Sequence, residues 1–411
     1  MKKKVAFNTI AQVIGKIISG GTTFLVSLIL ARSLGVEGYG DFTKITTYIA
    51  FFYLFCDFGL NAAYLQLIEK QTVKQIRNVL FTTRILFGLL LMFITLAITA
   101  FLPGSDSQGY SMVVKMGIVL FVPSIFFQSI ITTTNVLFQE RLRYDFATYA
   151  VAIGSLTTLL SIYISSKIFL PTAALLGSII AFLIGSIVTS VVALLFVKKL
   201  SGMPTLTWNP QLTKRLILQA LPLGLTLVCN VIYFHADSFI LTLTRSTSDV
   251  GTYGLAYKFF ELILVIPTFF MNAMFPLLMA SKKSSDEKQL QARVRMSGII
   301  LILLSLLIGI GGWFAAPFIS LIRPEFNASI CPLRILLAGL PIFYLTSLSM
   351  WILIVERKQK QMLGIYTASM AINIICNIIF IPQYGYIAAA WITVMSELFV
   401  LTFSYITLKR A

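Results

Sequence analysis

An all-α, polytopic membrane protein is what the hydropathy of this chain implies. Of its residues 58% are hydrophobic and 11% are charged, and the mean hydropathy is +0.90. A soluble domain carries about 25% charged and 45–50% apolar residues, so this chain is solvated by lipid. Apolar stretches of about 20 residues, the length that a bilayer core of roughly 30 Å demands of a helix, recur from one end to the other.

The first span, 8–34, follows Lys2, Lys3 and Lys4. It is too long for the core of a secretory signal and no A-x-A-like site follows it, so it is expected to be retained. Spans 45–68 and 79–102 come next, separated by Lys70, Lys74 and Arg77. Span 113–138 ends before Arg141 and Arg143. Spans 146–170 and 172–197 are joined by a short link at Pro171, and Lys198 and Lys199 close this first set. Lys214 and Arg215 precede the second, which runs 217–244, 254–280, 296–316, 330–355, 363–381 and 387–408. Within it Lys282, Lys283, Lys288, Arg293 and Arg295 fall in one connection, and Arg357, Lys358 and Lys360 in another. Twelve spans are predicted, in lobes 1–200 and 201–411.

The basic residues sit in every second connection, which predicts that both termini are cytoplasmic. The net charge of +17 is then a matter of topology and anionic lipid, and no nucleic-acid partner is expected.

A repeat gives the internal organisation. "VEGYGDFTK", Val36 to Lys44, returns as "VGTYGLAYK", Val250 to Lys258, about half the chain further on. Six spans separate the copies, so the halves are predicted to be parallel repeats related by an axis along the membrane normal, around a central cavity. Each copy falls in the outer connection between the first two helices of its half. Gly38, Tyr39, Gly251 and Tyr253 are expected in tight turns with the rings at headgroup level.

The polar residues inside spans are the candidate site. Asn8, Gln12, Lys16, Gly20, Thr23 and Ser27 form a stripe along one helix face, and Lys16 lies about 12 Å from the helix start. The equivalent seventh helix carries Thr226, Asn230 and Asp237 on one face. These stripes are expected to face each other across a wet cavity, because a Lys facing lipid at that depth is costly. Asp57 and Asp237 have no partner within sequence reach and are expected to be cavity acids or ion carriers. Lys258 and Glu261, three apart, are expected to pair, and Lys258 is expected to matter more than Lys44 because of that acid. Arg84, Lys115 and Arg334 lie near enough to helix ends to snorkel.

The remaining chemistry is sparse. His235 is the single histidine, and Cys56, Cys229, Cys331 and Cys376 show no C-x-x-C spacing, so neither a metal nor a cofactor is expected. No nucleophile elbow, Walker loop, H-E-x-x-H or Rossmann fingerprint is present, and no catalytic residue is assigned.

"LARSLGVEGYGDFTKITTYIAFFYLFCDFGLNAAYLQ", Leu30 to Gln66, resembles the N-terminal signature of the Wzx-type polysaccharide flippases, members of the multidrug/oligosaccharidyl-lipid/polysaccharide (MOP) exporter superfamily. "ALPLGLTLVCNVIYFHADSFILTLTRSTSDVGTYGLAYKF", Ala220 to Phe259, is similar to the start of their second lobe. The resemblance implies two six-helix lobes in a MATE-like arrangement. It implies movement of undecaprenyl-pyrophosphate-linked oligosaccharide across the bacterial inner membrane for O-antigen, lipopolysaccharide or capsule synthesis, alongside polysaccharide polymerase machinery. An anionic cargo would meet Lys16, Arg32, Lys258 and Arg245, with Gln12 and Asn230, while Asp57, Asp237 and Glu261 are the ion-coupling candidates. The alternative is a cation-coupled multidrug or small-solute antiporter of the same superfamily, against which the cation in the first helix argues.

Overall fold

A computed structural model describes residues 2–68, 73–105, 107–168, 171–284 and 286–409, with side chains for all of these except 2–14, 16, 171, 172, 230 and 231. The described chain is helical: α1 (Lys2–Asp57), α2 (Leu60–Leu67), α3 (Val73–Phe101), α4 (Met112–Phe121), α5 (Pro123–Glu140), α6 (Tyr144–Ile168) and α7 (Pro171–Ser201) precede α8 (Pro210–Thr244). Then come α9 (Thr247–Lys283), α10 (Glu287–Ala315), α11 (Ile330–Ala338), α12 (Leu340–Val355) and α13 (Gln359–Lys409). Two 3₁₀ turns, Ala316–Leu321 and Pro324–Ser329, link α10 to α11.

Among the described residues nine helices are long and apolar enough to cross a membrane, or ten if the bent pair Pro324–Ala338 and Leu340–Val355 is one span. Two of these helical stretches are 51 residues long, about 76 Å at 1.5 Å per residue, more than twice the hydrocarbon thickness. Each is interrupted at a glycine, Gly35 (φ 73°, ψ −176°) and Gly385 (φ 62°, ψ −145°), in backbone regions that a Cβ makes strained, and the first breaks again at Phe58–Gly59, short of its end. Counting each as two crossings brings the number to the predicted twelve. The protein is thus an all-α, multi-pass membrane protein.

The outer turn predicted at Val36–Lys44 is therefore a single residue, Gly35, and the repeated segments themselves are helical. Tyr39 and Tyr253 are 2% and 1% exposed, so their rings pack against protein rather than lying open to headgroups. The expectation failed because one positive-φ glycine suffices to reverse direction, which frees the following motif to start the next helix. In the second copy Ser246 serves instead, accepting from the Asp249 amide as the N-cap of α9.

The chain divides into two compact units, Met1–Val231 and Ile232–Ala411. The division falls inside α8, past the lobe boundary expected at 200/201, because Leu212, Leu216 and Ala220 of α8 are core residues of the first unit. They join Tyr64, Ile76, Leu80, Phe138 and Val197 there. Phe146 stacks on Phe196 at 4.8 Å beside this core, and Arg143 caps the stack 3.9 Å from the Phe146 centroid. In the second unit α9 packs on α12 through Phe260 against Phe343 and Phe275 against Trp351. The Tyr344 hydroxyl there donates to the Ile263 carbonyl.

Several buried Ser and Thr need no distant partners. Thr95, Thr99, Ser129, Thr133, Ser178 and Thr189 each donate to the carbonyl one turn earlier, which satisfies a hydroxyl without water. Large apolar side chains, among them Phe93, Leu307 and Phe314, point outward, the arrangement expected of a chain solvated by hydrocarbon.

Candidate functional site

Two clusters of ionisable side chains lie inside the spans, one in each unit. In the second unit Tyr233 and Asp237 lie one turn apart on α8, Tyr253 and Tyr257 one turn apart on α9, and Thr393 and Glu397 one turn apart on α13. One turn of spacing puts each pair on a single helix face. Asp237 accepts hydrogen bonds from the Tyr253 hydroxyl, the Thr393 hydroxyl and the Ser238 amide. Tyr233 donates to Glu397 at 2.9 Å, and the Tyr257 hydroxyl donates to the Phe234 carbonyl at 3.3 Å.

Because α13 reverses at Gly385, its two arms also meet. Ser369 donates to the Ser396 carbonyl at 3.1 Å, Asn373 to the Ser396 hydroxyl at 3.0 Å, and Asn377 to Asn373 at 2.8 Å. Asn377 Oδ1 is buried and has no hydrogen-bond partner among the described residues.

Asp237 is 3% and Glu397 5% exposed, and among the described residues neither lies within 4.0 Å of a cation. A carboxylate surrounded only by hydroxyls and an amide in a lipid-embedded bundle is costly unless it holds a proton or a small cation. The donors around it are all oxygen and nitrogen, and no group of three or more His, Cys, Asp or Glu stands together among the described residues. The arrangement suits a proton or a hard monovalent ion rather than a transition metal.

In the first unit Arg84 of α3 donates through Nη2 to Asp57 and to Asn61, each at 2.8 Å. Asp57 also accepts from the Asn61 amide. Arg84 was expected to snorkel; instead it is 1% exposed. Asp57, expected to stand alone, is its counter-charge. The α3 segment Ile76–Arg84 is buried at every position, so no path to a headgroup exists for this side chain and only a protein anion can neutralise it.

The other predicted residues divide by how they are engaged. Lys258 and Glu261 do pair, at 2.8 Å, with side chains 33% and 50% exposed. Lys44, ranked below Lys258 for want of an acid, is buried and pairs with Asp41 one turn away at 3.6 Å. Arg245 donates to Asp249 at 2.9 Å and to the Pro382 carbonyl at 3.5 Å. Arg32 is exposed and in no ion pair among the described residues. Arg334 lies 5.0 Å over the Trp313 ring. The side chains of Gln12, Lys16 and Asn230 lie outside the described residues. Glu397, Tyr233 and Arg84 were missed as site members; the signal for Glu397 was its solitude, one acid in an otherwise apolar terminal span.

Residues 1–282 match a family model described as "Polysaccharide biosynthesis protein", and residues 222–382 match that of "MatE". No curated protein matches by sequence. Among solved structures, "Lipid II flippase MurJ, inward closed conformation" is similar at a TM-score of 0.80 and 17% identity, over 98% of this chain and 87% of that one. An inward-facing multidrug resistance MATE family transporter of the MOP superfamily is similar at 0.77 and 14%, over 98% of both chains. A MOP superfamily transporter from Pyrococcus furiosus, described by the reverse polarity of its binding pocket, follows at 0.66 and 14%, over 98% of this chain and 94% of that one. The fold is that of MOP superfamily transporters.

Proposed function

Because this chain belongs to the polysaccharide biosynthesis protein family, we propose that it is a flippase for undecaprenyl-pyrophosphate-linked oligosaccharides in the bacterial inner membrane. The observation that carries this reading is the family match over residues 1–282, which falls on a chain of membrane helices with short connections. Such a chain contributes to polysaccharide assembly by moving an intermediate rather than by synthesising one. The basic connections support cytoplasmic termini and a cargo taken from the cytoplasmic leaflet.

A diphosphate crossing a medium of low dielectric requires counter-charges and donors. Lys16, Arg32 and Lys258, with Gln12 and Asn230, are assigned to that passage. Arg245, tied to Asp249 and the Pro382 carbonyl, braces the reversal of α13 at the edge of the route. Transport is driven through Asp237, whose uncharged surroundings favour uptake of a proton or small cation, with Glu397 one turn away as the second acid. Asp57, neutralised by Arg84, contributes to coupling only if that pair opens, and Glu261 only if it releases Lys258.

A second reading, a cation-coupled antiporter for drugs or small solutes, draws on the match of residues 222–382 to MatE and on the same buried acids. Deletion of the gene separates the two. The flippase reading expects a lipid-linked oligosaccharide to accumulate on the cytoplasmic face and surface polysaccharide to be lost. Unchanged surface polysaccharide together with increased sensitivity to organic cations would replace it with the antiporter.

A further inference from the structure

Residues 146–236 contain no Asp or Glu, and within this stretch the first turns of α8 present an unneutralised cationic face. Gln211, Lys214, Arg215, Leu218 and Gln219 follow the spacing of one helix face and are all exposed. Leu212, Leu216 and Ala220 on the opposite face are core residues of the first unit, so the orientation of the exposed face is fixed by packing. The five residues line an open recess of 430 Å³, within the range of about 300–1,000 Å³ usual for small-ligand sites. Neither Lys214 nor Arg215 takes part in an ion pair among the described residues.

Three further features favour an anionic amphiphile. Asn209 caps α8, its side chain accepting from the Leu212 amide at 3.1 Å, and the positive end of the helix adds to the two cations. Gln219 donates to Gln66 of α2 at 3.2 Å, which holds one amide at the edge of the recess. The segment leading into α8 is strapped to α3. Arg77 donates to the Ser201 carbonyl, Asn78 exchanges two hydrogen bonds with Thr205, and the Thr207 amide donates to the Thr82 hydroxyl. The strapped segment holds Leu206 and Trp208 outward, 68% and 56% exposed. Two exposed apolar side chains therefore precede the cationic recess along the chain, at the helix end where the basic residues cluster.

We propose that the Lys214–Arg215 face of α8 is a loading site for the diphosphate of the lipid-linked cargo, with Leu206 and Trp208 receiving the start of its polyprenyl tail; the proposal rests on the flippase reading. Arg215 offers a planar fork and Lys214 a point charge to the two phosphates, and Gln211 and Gln219 offer amides to the adjoining sugar. Two cations side by side on one helix face match the charge of a diphosphate better than that of a monoanionic phospholipid.

The test uses the full chain in lipid nanodiscs, with a photoreactive residue in place of Leu218 and undecaprenyl diphosphate as the probe. Crosslinking to the probe is expected, resistant to excess phosphatidylglycerol. It should fall at least about tenfold, the effect of losing one charge-assisted hydrogen bond, in Lys214→Gln/Arg215→Gln, and return in the charge-conserving Lys214→Arg/Arg215→Lys. In proteoliposomes the first double variant should require a higher cargo concentration for half-maximal transport while retaining the maximal rate. Equal crosslinking in that variant, or displacement by phosphatidylglycerol, overturns the loading site while wild-type flipping leaves the flippase reading standing. A wild-type chain that neither crosslinks nor moves the oligosaccharide lipid overturns both.

Discussion

Tyr253, the tyrosine of the second V-x-x-Y-G copy, donates its phenolic hydrogen to Asp237 sixteen positions earlier, across the junction of α8 and α9. The repeated motif thus delivers a buried hydroxyl to a buried acid. Its counterpart Tyr39 is as deeply buried in the first unit.

Asp237→Asn should abolish the dependence of transport on an ion gradient while leaving cargo binding intact, measured as flipping in proteoliposomes with and without an imposed gradient. Tyr253→Phe removes a hydrogen bond to a charged group, worth about 1.5–3 kcal/mol, and should lower thermal stability while retaining part of the coupling. Full gradient dependence in Asp237→Asn would remove this acid from the mechanism.

Asp57→Ala leaves Arg84 buried without its anion, a loss of about 3–5 kcal/mol for such pairs. The yield of monodisperse protein in detergent should fall steeply. The neutral double variant Asp57→Asn/Arg84→Gln should recover most of it, because no charge is then left buried. A single variant as stable as the parent would show that the pair does not hold α1 to α3.

Lys44→Ala should reduce folded protein, since it strands Asp41 beside a buried site. Lys258→Ala, at a partly exposed pair, should leave abundance unchanged and lower export. Membrane abundance by immunoblot, set against surface polysaccharide, distinguishes these outcomes. Lys16→Ala is expected to lose export at normal abundance, and Lys16→Arg to keep more of it.

Gly35→Ala and Gly385→Ala force a Cβ into backbone that only glycine adopts readily, at about 1–3 kcal/mol each. At Gly385 the added carbon would also lie 3.1 Å from the Arg245 guanidinium, which must shift to admit it. Melting of the purified variants reads this directly.

Single cysteines at Gln108 and Ser248, in a background with Cys331 replaced, should react with an impermeant thiol reagent from the periplasm. Those at Gln75, Gly202 and Ser284 should react only after the membrane is opened. Periplasmic labelling at Ser284 would reverse the assigned orientation.

Hydropathy alone determined that the chain is all-α and membrane-embedded and placed its spans, because a lipid solvent imposes length and apolarity on every crossing. It also supplied the pairs that lie one turn apart, such as Lys258 with Glu261. The faces were not legible. Leu301 is fully buried and Leu303 61% exposed, yet lipid and protein interior ask the same chemistry of both, so no polar face marks which side is the core. For the same reason the partners of Arg84 and Glu397, 27 and 164 positions away, were decided only when the helices packed. Burial of a charge in hydrocarbon is tolerable only beside a partner, and where another helix brings that partner the meeting is a property of the tertiary structure.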